Sequence, residues 1–169
     1  MGIQNAITFL SLLVNVLAVI SFYITLRKYR DENKKGERIG EYYVTGSILR
    51  CYRSFHGKVY LGKSQTEEYR AIPSPTPYDT QGFVQRFEGY GDDVEFEHRD
   101  RKFRGISIYK SRRGTYAIYG NIGQTYEEQG GTSSRLGFPI SNEKEKNGKI
   151  VQYFEGGCID SNKHINYNR

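Results

Sequence analysis

Gly57-Lys58-Val59-Tyr60-Leu61-Gly62-Lys63-Ser64 satisfies the spacing Gly-x-x-x-x-Gly-Lys-Ser of a phosphate-binding loop, and nucleotide hydrolysis is the chemistry that this spacing names. Such a loop needs a buried strand before it, a helix after it and small residues within it, so that backbone amides can wrap phosphate. Here a helix is expected before the loop, Val59, Tyr60 and Leu61 crowd it, and no strand ending in a suitable aspartate follows. His56, His98 and His164 are scattered without ligand spacing, and Cys-x-x-Cys, His-Glu-x-x-His and Gly-x-Ser-x-Gly are all absent from the sequence. No metal, cofactor or nucleophile–base pair is expected, and the chain reads as non-enzymatic. Glu88 and Glu155 sit in repeated Phe-Glu-Gly triplets, where a carboxylate accepting bonds from a glycine turn is favoured over a cation or sugar site. Arg99, Arg101, Lys102, Arg104, Lys110, Arg112 and Arg113, interleaved with Phe103 and Tyr109, form a basic cluster suited to an anionic ligand. Asp92, Asp93, Glu95, Glu97 and Asp100 offset much of its field. A solvated hairpin face is the favoured reading, and the candidate ligand residues on the other reading are Arg99, Arg101, Arg104, Arg112, Arg113 and Tyr109.

The elements that position these residues come in two copies. Gly46-x-Ile48-x-x-x-Tyr52 recurs 74 residues on as Gly120-x-Ile122-x-x-x-Tyr126, and both copies close on Phe-Glu-Gly, at Phe87 to Gly89 and Phe154 to Gly156. Between those anchors Leu61-Gly62 answers Leu136-Gly137. A duplicated unit is an architectural module before it is an active site. The copies differ in one loop, the proline-rich stretch Arg70 to Thr80, which the second copy lacks.

The second copy resembles the LGFP repeat family: Gly-x-Ile-x-x-x-Tyr, Gly130-Gly131, Leu136-Gly137-Phe138-Pro139, Glu143 and Gln152-x-Phe154-Glu-Gly-Gly157 stand in the family's order. The first copy is degenerate, with Leu61-Gly62-Lys63-Ser64 in place of Leu-Gly-x-Pro. The resemblance runs from about residue 43 to 160 and implies a non-catalytic module that holds cell-wall polymer. It assigns structural roles to Gly46, Tyr52, Leu61, Gly62, Phe87, Gly89, Gly120, Tyr126, Leu136, Gly137, Pro139, Phe154 and Gly156. The family's tryptophans are missing, for the chain has 15 Tyr and no Trp.

Ile48 with Tyr52, and Ile122 with Tyr126, share a helical face, so each copy opens on a short helix that Gly57 or Gly130-Gly131 stops. Phe83–Phe87 and Ile150–Phe154 read as strands, Ile106–Tyr109 and Tyr116–Tyr119 as a hairpin turning at Arg112-Arg113-Gly114, and Val94 to Phe103 as an inserted hairpin. Cys51 and Cys158 occupy non-equivalent positions without framework spacing. The expected fold is α+β: an N-terminal transmembrane helix, then a β-rich domain of two pseudo-symmetric LGFP-like repeats, each with a short helix and β-hairpins. The first repeat covers about 43–90, the inserted hairpin about 91–104 and the second repeat about 105–160, within a domain running from 39 to 169.

Ala6 to Leu26 carries no charge and would reach roughly 32 Å as a helix, enough to cross a bilayer core. Ser11, Asn15, Ala18 and Thr25 fall in one sector of it, a pattern that suits self-association. The charged segment 27–38 reads as a linker that touches lipid head groups, and its Arg27, Lys28, Arg30, Lys34 and Lys35 place the domain in the cytoplasm by the positive-inside rule. The expectation is a single-pass plasma-membrane protein, outside at its N-terminus. Its homo-oligomeric helix and cytoplasmic domain would bind a protein or anionic ligand, as in a membrane-disrupting effector of a bacterial defence system. The alternative is a membrane-anchored module that binds cell-wall peptidoglycan or polysaccharide on the outside.

Overall fold

The computed structural model describes residues 14–25, 36–89 and 104–168, and the chain falls into two units, Met1–Lys35 and Gly36–Arg169. In the first unit the described part is one helix, α1, over residues 14–25. No helix among the described residues is long and apolar enough to cross a membrane, which overturns the expected span over Ala6–Leu26. The single-pass placement and the orientation fall with it, because each requires a crossing helix. Asn15, Ala18 and Thr25 stand on α1, where Thr25 Oγ1 donates back to the Ser21 carbonyl at 2.8 Å. Ser11 and the basic residues 27–35 lie outside the described residues, as does the hairpin expected over Val94–Phe103.

The second unit is β-rich α+β. A ribbon, β1 (Glu37–Ile39) with β2 (Tyr42–Val44), leads into α2 (Gly46–Ser54) and the single turn α3 (Gly57–Tyr60). Next comes an antiparallel sheet in sequential order, β3 (Tyr69–Arg70), β4 (Gly82–Gly89), β5 (Arg104–Ser111) and β6 (Gly114–Ile118). Helix α4 (Gly120–Glu128) and a short 3-10 turn (Gly131–Ser133) follow. A second sequential sheet closes the unit, with β7 (Lys144–Lys146), β8 (Lys149–Phe154), β9 (Gly157–Asp160) and β10 (Ile165–Tyr167). Glu37 and Arg38, read from sequence as linker, belong to β1, where the Glu37 carboxylate takes Arg53 at 3.0 Å and Lys58 at 3.2 Å.

Period-two alternation explains the layering. On β4 to β6, Phe87, Ile106, Ile108 and Ala117 point to one face and join Ile48, Leu49 and Tyr52 of α2 with Ile39 and Val44 of the ribbon. Val84, Tyr109 and Ile118 point to the other face and join Ile122 and Tyr126 of α4 with Phe154 and Ile159 of the last sheet. The central sheet is therefore buried on both faces, and each helix lies between two sheets.

The outermost layers break this apolar pattern. Tyr43 is the counterpart of Ala117, 74 residues on, and its strand partner Arg38 is the counterpart of Ile108; Ile108 and Ala117 are wholly buried, whereas Tyr43 is 63% exposed. At the far end Asp160 and Asn166 take the places that Tyr109 and Ile118 hold against α4. Polar substitution on the outer faces is how a stack of repeats ends.

The helix stops are equivalent in place and different in residue. Gly130, at φ +99°, ends the first turn after α4, while His56, at φ +48°, does the same after α2. A side chain in this left-handed region is strained. His56→Gly is expected to raise stability by roughly 0.5–1 kcal/mol and Gly130→Ala to lower it by about as much, measured by urea unfolding of the full chain.

Candidate functional site

The repeat motifs meet in two equivalent clusters. In the first, Tyr52 Oη donates to the Gly62 carbonyl at 2.9 Å and its ring stacks on Phe87 at 5.1 Å. In the second, Tyr126 Oη donates to the Gly137 carbonyl at 2.7 Å and its ring stacks on Phe154 at 4.7 Å. Burial raises both phenols, Tyr52 to about 12 and Tyr126 well above its ordinary range, so neither ionises near neutrality. Leu61 and Leu136 are buried beside them. The glycines are required by close approach: a Cβ on Gly62 would run into the Gly89 carbonyl, and one on Gly137 into the Glu155 carboxylate.

A third equivalent contact is a buried glutamine. Gln85 Nε2 donates to the carbonyls of Tyr43 (3.0 Å) and Thr66 (2.9 Å), and Gln152 Nε2 to those of Ala117 and Ser141 (both 2.9 Å). Each glutamine so ties the strand entering a helix to the segment leaving it. Ser64 and Pro139 form the same bridge, to Phe87 and Phe154 respectively, so Ser64 fills the proline's place in the degenerate copy.

The copies part at the glutamate. Glu88 is exposed, whereas Glu155 is buried and accepts the Phe138 amide at 3.0 Å, Arg113 Nε at 3.1 Å and the Thr80 hydroxyl. Thr80 belongs to the proline-rich insertion, which straps the second copy: Thr132 Oγ1 donates to the Ile72 carbonyl at 2.6 Å, and Arg112 Nη2 to the Tyr78 carbonyl at 2.8 Å. Burial pushes the Glu155 carboxyl up, but the bonds from Thr80, the Phe138 amide, Ser74 and Arg113 outweigh it and hold the pKa below the ordinary value.

The expected basic site does not assemble as one ligand surface among the described residues. Arg112 and Arg113 hold the strap and Glu155, while Tyr109 is 5% exposed, packs edge-on to Tyr126 and donates to Glu127 at 2.9 Å. Arg104 opens β5 opposite Gly89, and Arg99 and Arg101 lie outside the described residues. The phosphate-loop pattern is folded as part of the first cluster. Gly57–Tyr60 is a helical turn, the Gly62 carbonyl is taken by Tyr52, and Ser64 Oγ donates to the Ile39 carbonyl. Its Lys63 amide occupies the place of Phe138, and Lys63 itself is exposed. Cys51 and Cys158 are free, Cys51 buried with its thiol pushed up to about 12.

Another cationic surface appears where the last sheet faces outward. Lys144, Lys146, Lys149, Val151, Tyr153 and Cys158 share that face. Lys144 Nζ stands 4.5 Å and Lys146 Nζ 5.6 Å from the Tyr153 ring centre, and Lys146 also donates to Tyr153 Oη at 3.0 Å. Lys149 is turned to Asp160 at 3.5 Å. The signal available in sequence was Lys146-Asn147-Gly148-Lys149, an Asn-Gly hairpin turn with φ of +53° and +72°, which puts alternate residues of both arms on one face. No family model and no curated protein matches the chain.

Because Glu155 has a lowered pKa in the folded state, its bonds stabilise the fold above the ordinary carboxyl pKa of 4.5 and are lost as pH falls through the folded value. Glu155→Gln is expected to cost roughly 1–3 kcal/mol at neutral pH and to flatten the acid limb of the stability curve. Urea midpoints at pH 7 and pH 4 measure both effects.

Proposed function

We propose that this chain is a non-enzymatic binding module of two LGFP-like repeats, whose motif residues build the scaffold and whose lysine–tyrosine face takes an anionic partner. The observation that carries this reading is the twofold recurrence of the Tyr–Gly carbonyl bond, the Tyr–Phe stack and the Gln cross-link. Side chains committed to the same buried contacts in both copies are framework, so recognition falls to groups that the framework leaves outside. Among the described residues Lys144 and Lys146 pair with no carboxylate and are held over an aromatic ring, a preorganised cationic surface.

The exposed rings of Tyr43 (63%), Tyr69 (40%) and Tyr167 (38%) favour a second reading, retention on cell-wall polymer by stacking on sugar faces. The two readings differ in salt dependence. Full-length protein is loaded on immobilised poly-glutamate and on purified wall material, and eluted with rising salt. The leading reading expects Lys144→Glu/Lys146→Glu to leave poly-glutamate at much lower salt than the wild type, and the charge-matched Lys63→Glu/Arg70→Glu to behave as wild type. Equal shifts in both variants would reduce the binding to net charge, and salt-resistant retention on wall material alone would move the wall reading to first place.

A further inference from the structure

We propose that the outer face of the β7–β10 sheet docks an acidic helix supplied by a partner protein. This rests on the chain being a binding module and names the class of its partner.

The central sheet shows what a sheet face of this architecture accepts. Its equivalent face is covered by α4, which packs on β5 and also on β9 of the next sheet. There α4 presents an acid to a cation and an aromatic ring: Glu127 lies 3.4 Å from Arg86 Nη2 and accepts Tyr109 Oη at 2.9 Å. On the last sheet Val151 stands where Val84 stands, paired with Lys144 as Val84 is with Tyr69, and Tyr153 takes the place of Arg86. Arg86 also meets the Tyr69 hydroxyl of β3, and that cation–aromatic pair recurs with its members exchanged, the ring now Tyr153 on β8 and the cation Lys144 on β7, while Asp160 stands where Tyr109 stands.

The charge left unpaired on this strip is positive, although Asp160 shares the face with Val151. Alternation sends Glu145 to the opposite face with Ile150, and Asp160 is engaged by Lys149 and by the His164 amide at 2.9 Å. What remains toward solvent is Lys144 and Lys146 above the Tyr153 ring, beside half-exposed Cys158. A sheet face is met by side chains rather than by backbone, which selects a helix over an added strand. The cations select glutamate or aspartate on it.

Cys158 makes the face directly readable. It is the strand partner of Tyr153, and the other thiol, Cys51, is buried, so a disulfide-exchange reagent reports Cys158. Labelling of the full-length protein is followed with a glutamate-rich amphipathic helical peptide, a proline-interrupted peptide of the same composition, and a single-stranded oligonucleotide of matched charge. With the helical peptide at about ten times its Kd, Cys158 labelling is expected to slow about tenfold, while the other two probes leave it unchanged. Lys144→Gln/Lys146→Gln, which removes charge without reversing it, is expected to abolish the protection with an unaltered melting curve. Absence of protection by the helix, equal protection by the interrupted peptide or the oligonucleotide, or protection that survives in the variant would each overturn the inference. Poly-glutamate retention that depends on Lys144 and Lys146 would then still support the broader module reading.

Discussion

A tyrosine hydroxyl donated to the carbonyl of a left-handed glycine fixes each repeat. The bond joins the helix carrying Tyr52 or Tyr126 to the Leu-Gly turn, and the same ring stacks on the phenylalanine of the following strand. Three segments distant in sequence thereby take a set distance from one another. The turn then receives the strand end through backbone pairs, Glu88 to Lys63 and Gly89 to Leu61 in one copy, Glu155 to Phe138 and Gly156 to Leu136 in the other. Because the carbonyl is buried once the ring covers it, the hydroxyl is the partner that keeps it from being an orphaned acceptor.

Stacking follows from that arrangement. Each helix has one sheet behind it and one in front, so the central sheet must be apolar on both faces, and Ile108 and Tyr109, adjacent in sequence, serve different cores. The second copy has a further tie that the first lacks, the proline-rich strap converging on Glu155 with Arg113. This tie engages the arginines at the β5–β6 turn, Arg112 with the Tyr78 carbonyl and Arg113 with the buried Glu155 carboxylate. Surface chemistry is left to the ends of the stack, where one face carries Arg38 and Tyr43 and the other the lysines around Tyr153.

Helices α2 and α4 and the strands β4, β5, β6 and β8 were legible because their signals are local. Ile48 with Tyr52 and Ile122 with Tyr126 mark a helical face, and the β-rich runs at Phe83 and Ile150 sit inside β4 and β8. The repeat offset also pointed to the role of Gly62, since it set the apparent phosphate loop against Leu136-Gly137. What remained hidden depended on long-range contacts. Nothing near Tyr109 distinguishes a ring on a basic hairpin from one buried under α4, and nothing near Arg113 announces Glu155, 42 residues away. Sequence placed Glu37 in a charged linker because its partners, Arg53 and Lys58, arrive only with the helices. The uncharged N-terminal run was read by length and charge, and no helix among the described residues is long and apolar enough to cross a membrane.

The central claim is that the motif residues hold the fold and do not contact the partner. Its most direct test is Tyr126→Phe in the full chain, which removes one hydroxyl and keeps the stacked ring. Urea unfolding and poly-glutamate retention are measured on the same preparation. The account predicts a loss of about 1 kcal/mol in stability, the ordinary worth of one buried hydrogen bond, with retention unchanged. Unaltered stability together with lost retention would contradict it, and would place Tyr126 in the binding site instead of the framework.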